Sequence, residues 1–165
     1  MNKFERGLGY IVDCMIASIT TIGILVSQLA ATTIMPNTAP VPITIISLTN
    51  EQREAANVSD LVEDPYLDQI AQIRADEMAK TGVFDHIRPD GQKFTELFVV
   101  NGKWITPLAG ENIGKNVWTS KQVIDCWMAS PGHKANIERP QFTKIGVGVA
   151  RASNGYYYVA QEFAQ

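Results

Sequence analysis

Apolar residues recur at helical spacing from residue 67 onward: Leu67, Ile70, Ala71, Ala75 and Met78, with Arg74 on the same stripe. Asp64-Pro65 marks the start, a capping carboxylate followed by proline at the first helical position. Gly82 marks the end, with Lys80 in the last turn beside the negative pole. A second stripe, Val123, Ile124, Trp127 and Met128, predicts a helix capped by Thr119 or Ser120 and stopped by Pro131. A shorter helix is expected from Thr49 or Asn50 through Ala56, and another over residues 94–100. The last segment changes period. Ile145, Val147 and Val149 alternate with small or polar residues, Asn154-Gly155 supplies a turn, and Tyr156, Tyr158 and Ala160 alternate with Tyr157, Val159 and Gln161. This is a β-hairpin in which at least one of the three tyrosines is exposed. AGENIGKN, residues 109–116, reads as an irregular or short extended piece between glycines. Helices first and a hairpin last predict an α+β domain.

The N-terminal pattern is of another kind. Lys3 and Arg6 precede a run that carries no charge from residue 14 to Glu51. Residues 14–35 are long enough to cross a hydrocarbon core of about 30 Å as a helix. Basic residues on the near side alone place the N-terminus inside and the remainder outside. The expectation is one N-terminal hydrophobic helix over 1–35, acting as a signal anchor. A cleaved signal peptide is the alternative, although Leu29-Ala30-Ala31 is a poor cleavage site; a buried core helix is the third reading. Both leading readings are extracytoplasmic, membrane-anchored or secreted. Pro36, Pro40 and Pro42 predict an extended linker over 36–45, and the domain then runs over 46–165.

The formal charge of −3 gives no basic patch, which argues against a nucleic-acid partner. The two cysteines, Cys14 and Cys126, form no metal-binding motif. They suggest no internal disulfide framework.

Chemistry concentrates on three residues. His86 and His133 are the only histidines, each beside a helix end and a Pro/Gly turn. Glu111 stands between glycines. Together they could give zinc three ligands and leave a fourth position for water. No local spacing demands a metal, and turn or surface roles are the plain alternative. Glu111 could equally accept backbone N–H groups, as Asn112 and Asn136 are expected to do in their loops. Asp85 is placed to orient His86 or to be solvated. Ser130 beside His133 invites a serine–histidine pairing, but Ser130-Pro131 reads more simply as a helix end.

Five segments in order, FDHIRPDG, AGENI, WMASPGHKANI, FTKIGVGVA and GYYYVAQEF, resemble the bacterial branch of the CAP superfamily. That superfamily groups cysteine-rich secretory proteins, antigen 5 and pathogenesis-related 1, and its domain is also called SCP. The resemblance runs from about residue 46 to the C-terminus. It implies a three-layer α-β-α sandwich with a central antiparallel sheet. It also implies a cleft on which two histidines and two acids converge. By motif these are His86, Glu111 and His133; where the second acid belongs stands Ser130, so the tetrad is incomplete. Gln161, on the last strand, approaches the same cleft by resemblance.

The expected function is an extracytoplasmic binding module for a lipid, a divalent cation such as zinc, or a protein partner. Its ligand-binding cleft would be formed by His86, Glu111, His133, Ser130 and Gln161. The alternatives are a metal-dependent hydrolase of an envelope polymer or peptide, using His86, Glu111 and His133, and a structural envelope protein.

Overall fold

The structure, a computed structural model, describes residues 7–13 and 39–165. The apolar run over 14–35, expected as an anchor or signal helix, lies outside the described residues. Among those described, no helix is long and apolar enough to cross a membrane.

Seven strands and four helices make up the described residues. In order they are β1 (Gly7–Asp13), α1 (Pro42–Ala55), β2 (Val62–Glu63), α2 (Pro65–Thr81), β3 (Val99–Val100), β4 (Lys103–Trp104), β5 (Ala109–Val117), α3 (Ser120–Ala129), α4 (Pro131–Ile137), β6 (Lys144–Arg151) and β7 (Tyr157–Ala164). A 3-10 helix over Phe94–Phe98 precedes β3. The main sheet has the order β1-β5-β7-β6-β2. Its centre, β5-β7-β6, is antiparallel as expected, but both edge strands run parallel to their neighbours, so the sheet is mixed.

Alternation along the strands sorts the two faces. Ile113 of β5 and Tyr158 and Ala160 of β7 pack with Ala71 and Met78 of α2. Ala109 and Ala164 pack with Leu67 and Ile70 of α2 and with Phe94 and Phe98. The opposite side chains, among them Ile145, Val147, Val159 and Phe163, join Ile45 and Ile46 of α1 and Trp127 of α3 in the largest core cluster. The result is a layer with α2, the sheet, and a layer with α1, α3 and α4.

Helix α2 begins and ends where the sequence predicts. Asp64 accepts hydrogen bonds from the Tyr66 and Leu67 amides, and Gly82 closes the helix in the left-handed conformation, φ 74°. It lies directly on β6. A Cβ added at Gly146 would come within 2.2 Å of the Leu67 carbonyl carbon, and one at Gly148 within 2.3 Å of the Ala71 carbonyl carbon. Beyond the short β2, helix side chains take over the edge of β6. The Val147 amide donates to Asp68 (3.0 Å), and the Val149 amide donates to Gln72 (3.2 Å). This satisfies backbone groups that an open edge would leave unpaired.

Several boundaries differ from expectation. Pro42 does not continue an extended linker; it occupies the first turn of α1, with Ile45 and Ile46 buried. Thr49, expected as a cap, lies inside that helix and bonds back to the Ile45 carbonyl at 2.8 Å. Asn50 instead ties α1 to Leu61 by two 3.0 Å bonds. Pro131 ends α3 but also opens α4, so His133 sits on a helix rather than in a turn. AGENIGKN is not irregular: it is most of β5, buried between α2 and α4. Its glycine-rich, polar composition conceals a strand that is paired on both sides. Contrary to the expectation of no disulfide, Cys126 is disulfide-bonded. The only other cysteine is Cys14, which lies outside the described residues. Of the tyrosines, Tyr158 is buried, Tyr157 is half-buried, and Tyr156, just before β7, is 39% exposed, so at least one is exposed as expected.

Gly148→Ala would drive a methyl group into the α2 backbone, so it is expected to cost at least about 1–3 kcal/mol, the range typical of overpacking. Gly114→Ala is the control, since its Cβ would meet Trp127 at an ordinary 3.6 Å. Urea unfolding of the two variants decides; equal stability would contradict the packing.

Candidate functional site

The site starts from an arginine on the buried stripe of α2. Arg74 has no solvent exposure and must find partners for its charge. Its Nε donates to Glu111 Oε2 at 2.7 Å, one Nη to Glu77 Oε2 at 3.1 Å, and the other to the Asp85 carbonyl at 2.5 Å. Burial opposes the Arg74 charge, but Glu111, Glu162 and Glu77 outweigh it and hold its pKa above the ordinary value. Glu77 in turn binds Arg88 (2.6 Å), which fastens the loop after α2. The Arg88 pKa is raised chiefly by that bond.

The other oxygen of Glu111 faces His86 Nδ1 at 2.5 Å. An ionised carboxylate only accepts, so Nδ1 carries the hydrogen. The ring also lies against Phe94, with centroids 5.8 Å apart. His86 therefore hangs from Glu111, and Glu111 from Arg74. Its Nε2 is buried and has no hydrogen-bond partner among the described residues, while the whole side chain retains 17% exposure. Asp85 does not orient the imidazole: its carboxylate accepts the Ile87 amide, and its carbonyl accepts from Arg74. It shapes the loop that carries His86.

Glu162 completes this cluster and was not among the residues singled out in the sequence. It stands directly across from Glu111 in the β5–β7 register, on the same face. Both carboxyls are fully buried. Burial first, and the charge of Glu111 second, push the Glu162 pKa well above the usual carboxylate range. Arg74 had a legible signal, a charge on an apolar stripe. Glu162 had a fainter one, an acid in phase with the inward Tyr158 and Ala160.

His133 is not part of this cluster. It belongs to α4, on the other side of the sheet. Its ring stacks on Trp127 (6.4 Å, 15°), and Nδ1 pairs with Ser130 Oγ at 2.8 Å. The expected serine–histidine proximity is real, but the His133 ring is buried, 1% exposed, while Ser130 is half-buried at the junction of α3 and α4. Gln161 is on the same side as His133. Asn112 donates to Gln161 Oε1 (3.0 Å) and to the His133 carbonyl (3.3 Å), and Gln161 donates to Thr49 (2.8 Å). Asn136 donates to Asn112 Oδ1 (3.0 Å) and to the Glu111 carbonyl (3.3 Å). These amides lock α4 and α1 to β5 and β7.

The five expected cleft residues thus fall into two groups: His86 with Glu111, and Ser130, His133 and Gln161 behind the sheet. The three-ligand zinc set of His86, Glu111 and His133 does not fit. Both Glu111 oxygens are engaged, a guanidinium lies beside them, and among the described residues no three His, Cys, Asp or Glu side chains are grouped to hold a metal.

The sequence profile described as "CAP: Cysteine-rich secretory protein family" matches residues 46–163. The uncharacterized protein YkwD of Bacillus subtilis (strain 168) is 34% identical over 111 residues, covering 67% of this chain and 42% of that protein. The uncharacterized membrane protein YlbC of the same organism is 28% identical over 109 residues, covering 65% and 31%. The chain therefore spans less than half the length of these relatives. Among solved structures, an extracellular protein containing an SCP domain from Bacillus anthracis str. Ames superposes with a TM-score of 0.65. Its identity is 28%, covering 75% of this chain and 40% of that one. An outer surface protein from Borrelia burgdorferi shares the fold with a TM-score of 0.66 at 18% identity, covering 74% and 90%.

Arg74→Met would leave Glu111 buried without its cation. The expected loss is about 3–5 kcal/mol, the usual result of breaking a buried ion pair from one side. Chemical denaturation measures it, and a loss below about 1 kcal/mol would show that the pair is not an internal support.

Proposed function

The chain belongs to the CAP family of cysteine-rich secretory proteins, and on that premise we propose that it is an extracytoplasmic binding module whose ligand is engaged by His86. One observation carries the reading: His86 is held from behind by Glu111 and Arg74, while its forward Nε2 has no partner among the described residues. Buried polar atoms are nearly always satisfied, and an exception at the front of an oriented side chain is the signature of a site completed by a ligand. The amide groups of Asn112, Asn136 and Gln161 on the other face donate to one another and to neighbouring backbone and side chains and serve as scaffold.

The ligand offers a hydrogen-bonding group to the imidazole and comes from a lipid or a protein partner. A divalent cation fits less well, because Arg74 already supplies the positive charge at Glu111. Binding is favoured over hydrolysis because the cluster presents no nucleophile beside His86 among the described residues. The extracytoplasmic placement does not draw on a single span over 14–35 with Lys3 and Arg6 inside, because β1 (Gly7–Asp13) lies in the domain's own sheet and is therefore on the domain's side. It agrees with the presence of a membrane protein and an extracellular protein among the proteins it resembles.

The test is 15N NMR of the imidazoles of the full chain. Phosphatidylglycerol vesicles, envelope-derived peptides and zinc are titrated in turn. At least one of the first two is expected to shift His86 Nε2, and His86→Ala is expected to weaken that binding roughly tenfold or more, in line with a lost hydrogen bond of about 1–3 kcal/mol. Binding that persists unchanged in folded His86→Ala would refute this role for the histidine.

A further inference from the structure

Glu162 does nothing that the preceding reading uses, yet it is placed where an unneutralised charge is least tolerable. It is fully buried, in register with Glu111 and on the same face. Neither of its oxygens accepts a hydrogen bond among the described residues. Two carboxylates offer each other acceptors only. A proton on one of them changes that: the carboxylic acid gains an O–H to donate, and one negative charge disappears from a dry site.

The surrounding charges allow only one such proton to be the answer. From α2, Arg74 faces the pair directly, and it is shared with Glu77. From the following loop come His86, bound to Glu111, and Arg88, bound to Glu77. The side of β6 that meets α2 is bare at Gly146 and Gly148. The β1 residue in register with Glu111 is Gly9, which brings no side chain. Arg74 therefore matches one carboxylate of the facing pair, and among the described residues no second arginine or lysine matches the other.

We propose that Glu111 and Glu162 share one proton, and that Glu162 is thereby the second acid of the His86 site, supplied by β7 rather than by the α3–α4 junction at Ser130. Glu162 is a positioning residue. Its neutral carboxyl donates to Glu111 and keeps that carboxylate turned toward both Arg74 and His86, so that Nδ1 stays the donor and Nε2 stays forward. The importance of this arrangement rests on His86 being the ligand-engaging residue; the shared proton itself does not.

The experiment uses the full chain without ligand, with 13C-labelled glutamate carboxyls and 15N-labelled histidine. One buried carboxyl should hold the chemical shift of a protonated acid at pH 7, and that signal should be missing in Glu162→Gln. The pH dependence of stability provides a second reading. A carboxyl whose folded pKa is raised stabilises fully below its unfolded value, about 4.3, and that contribution is lost as pH rises toward the folded pKa. Glu162→Gln has no such loss. Its folding equilibrium should gain on the wild type by about tenfold per pH unit above about pH 4.3. The 15N shifts of His86 should be kept by Glu162→Gln, which still donates, and moved by Glu162→Ala. An ionised Glu162 signal at pH 7, or parallel stability curves, would overturn the shared proton. Unmoved His86 shifts in Glu162→Ala would overturn the positioning role. If Glu162→Gln does not fold, the wild-type carboxyl signal decides alone. A protein that binds no ligand but passes these tests would separate the failure of the binding reading from this one.

Discussion

The close approach of α2 to β6 governs the rest of the domain. Two glycines remove the side chains that would hold the helix away, and the helix backbone fills the space. At that distance Asp68 and Gln72 can bond to the strand edge. Arg74, two residues beyond Gln72, reaches across β7 to Glu111 on β5. A helix set back by the thickness of a side chain would leave that guanidinium short of its partner. Every contact that orients His86 follows from this spacing.

Burying Arg74 and two glutamates is costly, since charges leave water at several kcal/mol each. The cluster limits that cost by pairing Arg74 with Glu111 and Glu77. The same logic operates on the other side of the domain without acids. Arg53 is buried in α1 and donates to the carbonyls of Ser59, Ile137, Arg139 and Phe142, at 2.7 to 3.1 Å. Burial lowers its pKa, in the direction opposite to Arg74, because its hydrogen bonds go to backbone carbonyls rather than to a carboxylate. One arginine ties loops by satisfying backbone acceptors. The other holds a carboxylate and, through it, an imidazole. The sheet between them carries both loads, with acids on one face of β5 and β7 and amides on the other.

The split explains why the expected cleft came apart. His86 and Glu111 were legible as candidates because histidine and buried glutamate are rare and stood in recognisable surroundings. His133 was legible for the same reason, and Gln161 only through the resemblance. Which pairs meet depends on strand phase, and AGENIGKN showed no phase of its own. Once it is a strand, Glu111 and Asn112 must point to opposite sides. His86 then follows Glu111, and the α4 carbonyl of His133 follows Asn112.

By itself the sequence determined the strongly periodic or punctuated elements: α2 between its capping aspartate and its glycine, α3 after Thr119, the C-terminal hairpin, and an α+β layout. Local propensity and chain stiffness act within a few residues, so they are readable in one dimension. The start of α1 at Pro42, the helix after Pro131 and the strand status of β5 were decided by tertiary packing, which overrode ambiguous local signals. The pairing of Glu111 with Glu162 was decided by it too. Those residues are 51 positions apart, by the difference of their numbers, and only the β5–β7 register sets them face to face. Register is a property of two strands together, and no single segment carries it.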